Sequence, residues 1–120
     1  MKREKSVEMN TGLLMIEPSD KISAVPLVDD LTRRMTAAWR RRRSSPDGER
    51  GYHICACGAE SDNRDHWVTV GAQRLLTNAL CVHYLAFHRA EVPQEELNKV
   101  RALAHGMEEP NEEEFARPKR

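Results

Sequence analysis

The chain has 120 residues, 32% of them charged and 39% hydrophobic, and its 19 Lys and Arg balance its 19 Asp and Glu. That length suits one small domain with tails, and so thin an apolar supply leaves a core that calls for a metal or a partner as a staple. No run approaches the ~18 apolar residues of a membrane span. "GLLMI" (12–16) is too short for a secretory signal, and three cysteines cannot all pair, so reduced thiols in the cytoplasm are expected.

Residues 1–11 read as a frayed start, and "GLLMI" as a short strand ended by the turn "EPSD". "KISAVPLV" (21–28) is extended, with Pro26 against a central strand. Asp29 or Asp30 caps a helix running to about Arg43, whose Leu31, Met35, Ala38 and Trp39 share one face. "SSPDGERG" (44–51) reads as a linker and the main boundary, separating an N-terminal segment (1–50) from a second unit (51–106). "YHICAC" (52–57) and "HWVTV" (66–70) suit short strands, and "AQRLLTN" carries no clear signal. A helix follows from about Asn78 to Arg89, with Thr77 or Asn78 as cap. Pro93 opens another helix, striped by Leu97, Val100, Leu103 and Ala104 and ended by Gly106. The acidic, proline-containing stretch 107–120 is expected to be a disordered tail.

The chemistry-bearing residues cluster. Cys55 and Cys57 are one residue apart, and Cys81 and His83 repeat that spacing. Zinc takes four thiolate or imidazole ligands in a tetrahedron. Residues i and i+2 of a flat strand lie about 6.7 Å apart, so the two thiols share a metal only if the chain curls, which Gly58 favours. Cys81 and His83 serve together if Cys81 sits at the irregular start of its helix. His88 stands in reserve: five residues beyond His83, it is turned away by roughly 140° on a regular helix, so a local distortion is needed. The expected ligands of Zn2+ are therefore Cys55, Cys57, Cys81 and His83. The plainer reading makes Cys81 a buried core residue and the histidines ordinary ones.

Cys55-x-Cys57 followed by Cys81-x-His83 and an apolar "YLAFH" resembles the SWIM zinc finger, over residues 52–89. The resemblance implies a ββα module that binds DNA or proteins. A second pattern, Asp65-His66, Asn78 and His88, resembles an HNH endonuclease. That resemblance implies His66 as general base, Asn78 as the orienting residue, and Asp65 with His88 as ligands of a divalent ion. Separately, Arg33, Arg34, Arg40, Arg41, Arg42, Arg43 and Arg50 form a candidate phosphate-binding patch. Eight glutamates between Glu91 and Glu114 either neutralise it or meet partners of their own.

The expectation is an α+β fold: a zinc-stapled ββα module with flanking helices, acting as a non-catalytic adaptor for nucleic acid or a protein complex. A metal-dependent nuclease and a metal-free helical interaction protein are the alternatives. No phosphate loop, nucleophile triad or cofactor fingerprint suggests a small-molecule substrate.

Overall fold

The computed structural model describes residues 12–49, 53–62 and 64–117, with only the backbone of 44–49 and 64. Arg50 and the residues before Gly12 and after Arg117 lie outside the described part. The fold is α+β: helix α1 (Asp30–Arg40), strands β1 (Arg43–Glu49), β2 (Arg64–Val70) and β3 (Gln73–Thr77), then helices α2 (Cys81–Phe87), α3 (Gln94–Arg101) and α4 (Glu112–Phe115). A 3₁₀ turn, Arg89–Glu91, separates α2 from α3.

Helix α1 follows its sequence pattern. The Asp29 carboxylate accepts from the Thr32 amide and so satisfies one of the free donors at the helix start. The apolar face of Leu31, Met35, Ala38 and Trp39 is buried. These residues join Leu80, Leu85, Val100 and Leu103 in the main apolar cluster, so α1 packs against both α2 and α3. Arg89 pairs with Asp29 at 2.7 Å in a partly buried contact. This pins the turn after α2 to the start of α1.

The sheet has the order β1-β2-β3, antiparallel throughout. Strands β2 and β3 are joined by a two-residue turn at Gly71-Ala72, where Gly71 takes φ +59, a conformation that favours glycine. "AQRLLTN", without a clear signal in sequence, supplies β3, and it buries Leu75 and Thr77 on alternate positions.

Three expectations need correction. "SSPDGERG" is not simply a linker, because its first residues belong to β1, an edge strand where Pro46 needs no donor to a further neighbour. "GLLMI" is no regular strand. Gly12 makes a single parallel bridge to Leu76, and Leu14 turns at φ +57 with its amide held by the Glu96 carboxylate. Finally, the acidic stretch expected to be disordered is docked as far as Arg117. Asn111 forms a capping box with Glu114, and Phe115 packs against Ala86 and Phe87. Ala86 and Phe87 lie 29 and 28 residues before Phe115, a separation that a local reading of composition does not register.

Candidate metal centre

Residues 53–61 form a tight hairpin. Ile54 lies opposite Glu60, the Cys55 amide donates to the Ala59 carbonyl, and the Gly58 amide donates back to the Cys55 carbonyl. Ser61 ties the hairpin's base through its amide and hydroxyl to His53. Gly58 sits at φ +106, so the curl that two thiols at i and i+2 require is made where a side chain would be strained. The amides of Ala56 and Cys57 lie against the Cys55 sulfur and favour its thiolate. Among the described residues the hairpin's backbone bridge is internal, Ile54 with Glu60, while the His53 ring reaches Asp65 of β2.

The facing side is α2. Cys55, Cys57, His83 and His88 bring four ligand atoms within 4.8 Å of one another, and all four residues are buried. Cys55 Sγ lies 3.3 Å from His88 Nε2, and Cys57 Sγ lies 3.3 Å from His83 Nε2. Tetrahedral zinc with its usual bond lengths spaces sulfur and nitrogen about 3.6 Å apart. Four ligand atoms this close together could be held by a single ion. No disulfide competes, since all three cysteines are free.

His88 enters because α2 stops short of it. The last helical residue is Phe87, and His88 has φ −125 and ψ 30, with its amide donating to the Tyr84 carbonyl. That break supplies the distortion a regular helix lacks, and it brings the His83 and His88 rings to 4.9 Å between centroids. Cys81, expected as a ligand, stands outside the group. It lies two residues before His83, about 200° around the helix, and its side chain is fully buried in the main apolar cluster. Burial pushes its thiol up to about 12, with Thr77 beside it acting the other way.

The protonation states suit a metal. His83 Nδ1 lies 3.0 Å from the Phe115 carbonyl, which can only accept, so the ring's proton is on Nδ1 and the Nε2 lone pair faces Cys57. Burial holds His83 down to about 4, the neighbouring His88 lowers it further, and the Phe115 carbonyl opposes both. Burial also lowers His88, against Glu91 and the Lys21 carbonyl. The Cys55 thiol is pushed up to about 11 by burial. Burial thus favours the neutral forms of the Cys55 thiol and of both imidazoles. A divalent ion with two thiolates carries no net charge, which offsets the burial that raises the Cys55 thiol.

The other candidate residues are dispersed. Asp65 pairs with His53 at 3.2 Å, and His66 pairs with Asp62 at 3.1 Å while its ring packs edge-on against Trp39. Asn78 Oδ1 accepts from the Leu80 amide just before α2. His88 belongs to the cysteine group, so these residues do not converge on one point as the nuclease pattern implies. Among the arginines, Arg33 pairs with Glu109, and Arg34 with Asp30 and the carbonyls of Arg101 and Leu103. Arg40 pairs with Glu114, and Arg42 lies over the Trp39 ring at 4.1 Å. Arg41 and Arg43 are exposed. Arg33 and Arg40 thus meet the acidic half directly, through Glu109 and Glu114.

Comparison of the chain with protein-family models, curated proteins and solved structures finds no match. No helix among the described residues is long and apolar enough to cross a membrane.

Proposed function

We propose that this chain is a zinc-stapled adaptor module, with one Zn2+ held by Cys55, Cys57, His83 and His88, whose surface binds a protein. The observation that carries the metal is the convergence of four buried ligand atoms within 4.8 Å. Zinc is favoured over other divalent ions because two thiolates and two imidazoles in a tetrahedron match its preferences. Four protein donors leave no open coordination position, which supports a role in folding and not in catalysis. The SWIM resemblance implies a module of this kind, with His88 taking the place expected of Cys81.

Two features support a protein partner over nucleic acid. Arg33, Arg34 and Arg40 are already engaged within the chain, which leaves Arg41, Arg42 and Arg43 of the described patch to meet phosphates. Beside the metal hairpin a groove of about 450 Å³ opens between Ile16, Glu17, Pro18, His53, Ile54 and Tyr84. Ile54 at its edge is 66% exposed, an apolar handle next to a rigid site.

Metal content by mass spectrometry of untagged protein, purified without chelator, tests the staple, with one zinc per chain expected. Binding to DNA and RNA oligonucleotides across a salt series tests the partner. Weak binding without a steep salt dependence fits the protein reading, and tight binding with a steep one overturns it in favour of nucleic acid.

A further inference from the structure

His83 needs an acceptor for its Nδ1 proton if Nε2 is to face a metal, and that acceptor comes from far along the chain. It is the Phe115 carbonyl, 3.0 Å away. This carbonyl is free because it belongs to the last turn of α4, where the helix ends with Ala116 at φ +50. The Ala116 amide returns to Glu112 and Glu113 and leaves Phe115 unclaimed by the turn.

A four-residue helix does not persist alone in water. Helix α4 is held by contacts with α1 and α2. Arg40 grips both carboxylate oxygens of Glu114, at 2.8 Å and 2.7 Å, and also donates to the Glu109 carbonyl. Arg33 reaches the Glu109 carboxylate at 3.1 Å. The Phe115 ring stands edge-on to Phe87, one residue before the ligand His88.

We infer that residues 109–116 are a working part of the metal centre: the Phe115 carbonyl orients His83, and metal binding and docking of this segment drive one another. The inference rests on the metal reading above. An ion drawing on Nε2 makes Nδ1–H a stronger donor, which strengthens its bond to Phe115. By linkage, whatever factor docking adds to metal affinity, metal adds to docking. The chain's C-terminal acidic segment would then report on metal occupancy, closed when loaded and loosened when the ion is withdrawn.

The test uses the full chain. Glu114→Gln and Arg40→Met each remove the grip on α4 without touching a ligand, and Glu112→Gln, on the exposed side of the same helix, is the control. Affinity for Co2+ and Zn2+ is read by absorption and by chelator competition, with folding checked by circular dichroism. Loss of an outer partner of a metal-bound histidine typically weakens affinity about 10–100-fold, and a loss of at least about tenfold is expected for both variants, with none for Glu112→Gln. Hydrogen exchange of residues 109–116 in the unaltered chain should slow on metal addition, a readout that needs no variant to fold. If the unaltered chain binds metal while both folded variants bind it equally well, or exchange in 109–116 ignores metal, the inference fails and the staple stands. If the unaltered chain binds no metal, both fail together.

Discussion

Alanine at Cys81 separates a thiol that packs from the thiols that ligate. Its side chain is 0% exposed in the main apolar cluster. Cys81→Ala deletes one sulfur there, a group near the size of a methylene. The lost transfer free energy and the small residual cavity together cost about 1–2 kcal/mol. Cys55→Ser or His88→Ala instead removes a ligand. Structural zinc contributes about 10–16 kcal/mol in small zinc modules, which matches or exceeds the roughly 5–15 kcal/mol net stability of a whole domain. The ligand variants should therefore lose metal and fold together, while Cys81→Ala keeps one metal per chain. Metal stoichiometry and urea unfolding check this. A urea slope of about 1–2 kcal/mol/M for a domain of this size puts the Cys81→Ala midpoint roughly 1 M lower. The reasoning is refuted if Cys81→Ala purifies without metal while His88→Ala keeps a full equivalent.

Two further outcomes follow from geometry and protonation. The Cys55 thiol is raised to about 11 and His83 is lowered to about 4, so near neutral pH the ion displaces thiol protons and meets imidazoles already neutral. Raising pH removes the proton that competes at Cys55, and apparent zinc affinity should climb by at least about one log unit per pH unit between pH 7 and 8.5. An affinity that ignores pH in a chelator-competition series would mean that the Cys55 thiol does not ligate. At Gly106 an added Cβ would stand 2.5 Å from the Ala37 Cβ and 3.3 Å from the Arg33 carbonyl, both part of α1. Gly106→Ala should cost about 1–3 kcal/mol through overpacking, with metal content unchanged. An unaltered melting temperature would show that this loop does not press on α1 as closely as described.

What the amino-acid order determined by itself is local. The spacing of Leu31, Met35, Ala38 and Trp39 after Asp29 specifies a capped amphipathic helix, because periodicity and capping act within one or two turns. Cys-x-Cys followed by glycine likewise marks a curled hairpin able to aim two sulfurs at one point. Pro93 starts α3 for the same kind of reason, standing immediately before its first helical residue. The identity of the remaining ligands was decided elsewhere. Cys81-x-His83 looks like a pair in sequence, yet a helix turns two such residues to opposite sides, one into the core and one to the hairpin. His88 joins only because α2 ends at Phe87, where the extended segment 21–28 meets its last turn, with the Ser23 and Leu27 amides taking the Phe87 and Ala86 carbonyls. The same holds for "SSPDG", part of β1, where Ser44 pairs with His66 of β2, and for the acidic stretch after Gly106, where Arg40 and His83 supply partners for Glu114 and Phe115. Composition averages over neighbours in the chain, whereas these contacts pair residues 32 and 74 positions apart. Only the assembled core sets such distances, and with them which side chains can reach a single ion.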